Sequence, residues 1–147
     1  MRKTSRGRLI LAGAVFAGLF GLALALSSRP SITAISAPTP ASFSPDSVSR
    51  GAALAKIGDC GVCHTAADEA AYAGGVAVQT PFGAVFSSNI TPDPETGIGR
   101  WSFAAFRRAM REGVDRQGAR LYPALPYDHF TELTENDLSD LYAFLMT

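Results

Sequence analysis

Cysteine and histidine are nearly absent from this 147-residue chain: it holds only Cys60, Cys63, His64 and His129. No framework of several disulfides is available to staple the fold. A closed structural zinc site needs four ligands, and outside the run from Cys60 to His64 only His129 is of the usual type. A thioredoxin-like dithiol is expected in a βαβ setting, and none is visible around the cysteines. The sequence also lacks a serine–histidine–aspartate set, a phosphate-binding glycine loop and any internal repeat. Positive charge is scarce beyond the N-terminus: Arg2, Lys3, Arg6, Arg8 and Arg29 lie in or beside the leader. From residue 30 on, eight basic residues face 13 acidic ones, a net charge of −5 that argues against nucleic acid as a partner.

What is present is concentrated in Cys60-Gly61-Val62-Cys63-His64. Two cysteines separated by two residues and followed at once by histidine form a c-type haem attachment pattern. The spacing lets both thiols reach the vinyl groups of one haem as thioethers. His64 is then held beneath the ring as the proximal iron ligand. The expected cofactor is one covalently bound haem c, which uses both thiols and adds a large apolar centre to a domain of about a hundred residues.

The leader pairs a basic n-region with an uncharged run from Leu9 to Leu26. That run is longer than the usual cleaved signal core and near the minimum for a membrane span. Ala23-Leu24-Ala25 offers a cleavage site, but the length favours an uncleaved signal-anchor over residues 1–27. The basic residues hold the N-terminus inside, so the remainder is exported to the periplasmic side of the inner membrane. Residues 28–44, rich in Ser, Pro and Ala, read as a flexible linker, and 45–147 as the functional domain.

Within that domain, Ser44-Pro45-Asp46 predicts a helix start, with Val48, Ala52, Ala55 and Ile57 on its apolar side. Two short runs flanking Pro81-Phe82-Gly83 predict a β-hairpin. Ser102 caps a helix ended by Gly113, with Phe103, Phe106 and Met110 on one face and Arg107, Arg108 and Arg111 solvated elsewhere. Residues 113–133 read as loop. Thr134 to Asp137 resembles a capping box for a last helix striped by Leu138, Leu141, Tyr142 and Leu145.

Several motifs carry a more specific resemblance. They are Gly74-Gly75, Thr80-Pro81-Phe82-Gly83, Ser88-Asn89-Ile90-Thr91-Pro92-Asp93, Thr96-Gly97-Ile98-Gly99-x-Trp101, Arg111-Glu112-Gly113 and Leu121-Tyr122-Pro123-Ala124-x-Pro126-Tyr127. Over about residues 46–147 the chain resembles the cytochrome c subunits of bacterial membrane-bound dehydrogenases, those of alcohol and gluconate dehydrogenases and of nicotinate and isoquinoline oxidoreductases among them. The resemblance implies a mainly α fold: a cytochrome c-like domain of about three helices around a covalent haem, with a short β-hairpin, preceded here by the signal-anchor. Such subunits often carry three haem domains; this chain has one attachment motif.

In many members the slot between Pro-Ala and Pro-Tyr holds an iron-binding methionine, and here it is Leu125. Some relatives with another residue in that slot carry Ala-Met-Arg-Glu-Gly at the end of the preceding helix, as Ala109 to Gly113 does here, which makes Met110 the first candidate for sixth ligand, with core packing as its other reading. His129 is the remaining candidate. The resemblance also implies that Phe82, Trp101 and Phe103 line the haem, with ordinary core as their other reading; Asn89 and Thr91 are read either as partners of its propionates or as caps of a turn. The expected function is electron transfer without enzymatic catalysis: single electrons pass from a partner dehydrogenase towards a quinone or terminal oxidase. The alternative, if the sixth position is vacant, is a haem sensor or a peroxidase-like protein.

Charge is also segregated along the chain. Six arginines fall between Arg100 and Arg120, and five acidic residues between Asp128 and Asp140. Were these to fold onto different faces, the domain would be a charge dipole able to steer its partners.

Overall fold

The computed structural model describes residues 10–21 and 29–147. The chain forms two compact units, Met1–Pro30 and Ser31–Thr147. In the first, residues 10–21 are helical. Among the described residues no helix is long and apolar enough to cross a membrane. The n-region and the Ala23-Leu24-Ala25 site lie outside the described residues.

The second unit begins before the helices. Residues 31–39 carry no regular structure, yet the Ile32 N–H donates to the Arg116 carbonyl at 2.8 Å and the Ile35 N–H to the Arg100 carbonyl at 3.1 Å. The Arg116 guanidinium donates back to the Ile32 carbonyl at 3.2 Å. Part of the stretch read as a flexible linker is therefore laid along the domain, because backbone groups find partners there that composition does not reveal.

Helix α1 (Pro45–Ile57) starts where local chemistry directs it. Ser44 is extended, its hydroxyl accepts from the Ser47 N–H at 3.1 Å, and Pro45 sits in the first turn, where its missing donor costs nothing. A one-turn helix, α2 (Cys60–His64), follows Asp59, which is left-handed at φ 51°. Strands β1 (Ala77–Thr80) and β2 (Gly83–Phe86) pair antiparallel around Pro81-Phe82. Ser102 caps α3 (Phe103–Glu112), and Gly113 closes it in the left-handed region at φ 61°. Within the segment read as loop, residues Tyr127–Phe130 make a single turn, α4. Thr134 and Asp137 form the capping box of α5 (Glu135–Leu145).

The core is the packing of α1 and α3 on α5, with Leu138, Leu141, Tyr142 and Leu145 all buried. Tyr142 is its hub: its ring meets those of Phe43, Phe103 and Phe106, and its hydroxyl donates to the Trp101 carbonyl at 2.7 Å. Ile57 departs from the expected apolar stripe and is 80% exposed, while Leu54 packs against the core instead.

Polar contacts lock α1 to α5. The buried Asp140 carboxylate accepts from Ser47 Oγ at 2.5 Å and from Arg50 Nε at 2.6 Å and Nη2 at 3.1 Å. The Arg50 hydrogen bond first, then Ser47, holds this carboxyl below its ordinary range. A carboxyl lowered in the folded state contributes stability that is present above its unfolded pKa, about 3.9, and is lost as pH falls through its folded value. The melting temperature should therefore drop on acidification below about pH 4. In Asp140→Asn that part of the drop should disappear, as thermal melts of both proteins between pH 7 and 3 would reveal.

The arginines of α3 are not simply solvated. Arg108 Nη2 donates to the Asp115 and Arg116 carbonyls, and Arg111 donates to those of Thr131 and Leu133. Arg107 and Arg111 both reach Glu135 at 3.2 Å, and Arg50 pairs with Asp140. Several charges segregated in sequence thus meet in space, which weakens a simple dipole.

Candidate functional site

The candidate attachment residues occupy the single turn of α2. Cys60 and Cys63 fall at i, i+3 and His64 at i+4 from Cys60, a spacing that places them along one side of the turn. Cys60 is half-buried against the core cluster, Cys63 is exposed, and both thiols are free. Burial is the main cause that pushes the Cys60 thiol up, with a smaller push from the Asp59 carboxylate.

His64 is held at two points. Its Nδ1 lies 2.7 Å from the Ser88 carbonyl oxygen, and its own carbonyl accepts from the Gly74 N–H at 2.7 Å. A carbonyl only accepts, so Nδ1 carries the proton and Nε2 keeps its lone pair for a metal. Ser88 follows the hairpin, whose base is tied in by Gly75 N–H to Ser87 carbonyl and Ser87 N–H to Val76 carbonyl bonds. The hairpin and the Gly74-Gly75 turn thus orient the imidazole. The left-handed Gly74, at φ 83°, has no room for a side chain: a Cβ there would come within 2.6 Å of the Ser87 and Ser88 backbone.

This donor set fits haem c. Two unpaired thiols and an imidazole with a fixed tautomer share one turn, and Phe130 approaches the Gly58 junction that leads into it: a Cβ built on Gly58 would lie 3.4 Å from Phe130 Cε1 and 3.7 Å from Cys60 Sγ. Bound there, haem c would supply reversible one-electron iron chemistry, its potential set by axial ligands and surroundings.

The structure sorts the other candidates. Met110 is buried within the core cluster against which Cys60 and Phe130 also pack. His129 turns to solvent, its side chain 76% exposed and 3.9 Å from the Asp128 carboxylate. Leu125 is half-buried. Asn89 is engaged in its own turn: Oδ1 accepts from the Thr91 N–H at 2.8 Å and Nδ2 donates to Thr96 Oγ1 at 2.9 Å. Asp93 closes the same loop by accepting from the Thr96 and Glu95 N–H groups, bonds that lower its pKa. Trp101 and Phe103 pack on the core, whereas Phe82 stands at the hairpin tip, 93% exposed.

A family model described as cytochrome c matches residues 48–147. The chain belongs to the cytochrome c family. This cytochrome is 53% identical over 137 residues to one of the subunits of the nicotinate dehydrogenase of Pseudomonas putida, an alignment covering 93% of the chain and 12% of that protein. It is 48% identical over 99 residues to the cytochrome c subunit of the alcohol dehydrogenase (quinone) of Gluconacetobacter polyoxogenes, covering 67% and 21%. Against the fructose dehydrogenase cytochrome subunit of Gluconobacter japonicus the identity is 46% over 111 residues, covering 75% and 23%. The cytochrome thus spans about a quarter or less of these curated relatives. Membership implies covalently bound haem c and a role in electron transfer.

Some features of the site have no local sequence signal. The Ser88 acceptor lies 24 residues from His64, and α4 is hidden in a proline-rich stretch. The motif Ser88-Asn89 marks the region but does not say which backbone group meets the imidazole.

Proposed function

We propose that this cytochrome is a single-haem electron carrier on the periplasmic side of the inner membrane, tethered through its N-terminal segment. It takes electrons one at a time from the catalytic subunit of a dehydrogenase and passes them towards a quinone or terminal oxidase. The observation that carries the reading is the pair of free thiols on one turn beside an imidazole whose Nδ1 is committed to Ser88. The names of the relatives, as subunits of nicotinate, alcohol and fructose dehydrogenases, support a dehydrogenase as donor. The protein itself makes and breaks no bonds. Cys60 and Cys63 would hold the haem, His64 would bind its iron through Nε2, and Met110 would be the sixth ligand, since it is buried in the cluster that Cys60 packs against while His129 is exposed.

Affinity purification of the full chain from its own membranes should bring down a dehydrogenase catalytic subunit. Adding that enzyme's substrate should reduce the haem within the preparation. Haem that stays oxidised while the co-purified enzyme turns over with an artificial acceptor would contradict the proposed role.

A further inference from the structure

We propose that Arg111 is a positioning residue that clamps α4 and its exit to the end of α3, keeping Met110 in place and external ligands off the iron; this rests on Met110 being the sixth ligand. Arg111 follows Met110 directly. Its Nη1 donates to the Thr131 carbonyl at 2.8 Å and its Nη2 to the Leu133 carbonyl at 2.7 Å, while Glu135 Oε1 lies 3.2 Å from Nη2. The side chain is only 28% exposed. A planar guanidinium can serve two carbonyls at once, and hydrogen bonds from a charged donor are roughly twice as strong as neutral ones.

The clamped segment bridges two parts of the site. At one end Tyr127 lies on Gly113: a Cβ there would come within 2.9 Å of Tyr127 Cδ1. At the other end Phe130 reaches Gly58, beside Cys60 Sγ. Helix α4 therefore spans from the end of the Met110 helix to the junction of α1 with the attachment turn. Phe130 and Leu133 also pack on the core, but the hydrogen bonds of the exit other than those from Arg111 are local: Thr131 Oγ1 to the Asp128 carbonyl at 2.8 Å and Leu133 N–H to the Phe130 carbonyl at 3.3 Å. Those bonds hold the turn to itself; the Arg111 bonds hold it to α3. Segments with few anchoring contacts open locally first, and steric access to the distal side governs what else can bind haem iron.

The test compares carbon monoxide binding to the reduced full-chain holoprotein in four variants: Arg111→Ala, Arg111→Lys, Glu135→Gln and Met110→Ala. Arg111→Ala should bind carbon monoxide at least about tenfold faster than the parent, with faster amide exchange confined to residues 127–133. Arg111→Lys, able to reach one carbonyl, should fall between the two, and it carries the test if the alanine variant fails to fold. Glu135→Gln keeps both carbonyl bonds and should match the parent. The clamp is overturned if Arg111→Ala and Arg111→Lys both bind carbon monoxide at the parental rate while Met110→Ala binds it readily. It is equally overturned if Glu135→Gln accelerates binding as much as Arg111→Ala, since an ion pair would then be the cause. If Met110→Ala itself leaves carbon monoxide binding at the parental level, the ligand assignment fails, and the clamp with it.

Discussion

Replacing Gly51 with valine should prevent the cytochrome domain from folding, and Gly51→Ala should already weaken it severely. Gly51 is buried on α1 where that helix meets α5. A Cβ there would sit 2.0 Å from the Asp140 carbonyl oxygen, 2.6 Å from its carbon and 2.7 Å from Phe144 Cβ. These atoms are backbone or fixed to it, so no rotamer change relieves the clash and the helices must separate. Separation also stretches the bonds from Ser47 and Arg50 to Asp140. Overpacking commonly costs about 1–3 kcal/mol; contact with the backbone of the facing helix puts this site at or above about 4 kcal/mol, against a domain stability of about 5–15 kcal/mol. Better helix propensity returns only about 1 kcal/mol for alanine. In the holoprotein the alanine variant should lose on the order of 15 °C in melting temperature, at roughly 4 °C per kcal/mol. A shift under about 3 °C by circular dichroism would mean that α1 and α5 are not packed this closely.

This contact shows where sequence reading stops. Ser44, Ser102 and Thr134 mark their helices because a cap acts on donors two or three residues away. The hairpin is legible for the same reason, its turn and alternation being local. Gly51 looks like an ordinary weak point in a helix until α5 is known to cross it. Arg108 and Arg111 look like solvent-facing charges because their acceptors are loop carbonyls 7 to 22 residues on. The candidate attachment residues are legible as a motif because the chemistry requires them to be contiguous. The group that orients His64 is not, since it is backbone from another element.

Replacing Met110 with alanine should turn a low-spin haem into a high-spin one that binds carbon monoxide, and should lower its potential. Thioether sulfur opposite histidine favours reduced iron, and axial ligands help set haem potentials over a range of about 0.8 V. Losing that ligand should shift the potential by an appreciable fraction of this range. The same change removes a side chain buried in the core cluster that also holds Phe106 and Leu138, so stability should also fall, by about 2–5 kcal/mol. Two controls separate ligation from packing. Leu125→Ala should leave spectrum and potential in place, because leucine offers no donor. His129→Ala should do the same, because that imidazole faces solvent. If Met110→Ala loses stability but keeps spectrum and potential, Met110 is core alone. If His129→Ala changes the spin state instead, the iron has two histidine ligands. If none of the three alters the spectrum and the parent already binds carbon monoxide, the sixth position is open, and the sensor or peroxidase-like reading replaces the carrier.

The most direct test is whether haem remains on the chain after denaturation and acid–acetone extraction. Two thioether bonds, to Cys60 and Cys63, should keep it there, raising the intact mass by that of one haem and leaving a reduced c-type absorption spectrum. Cys60→Ser combined with Cys63→Ser should abolish both signals. Haem that extracts freely from the unmodified protein, or a mass without haem from cells competent in cytochrome c maturation, would contradict the account.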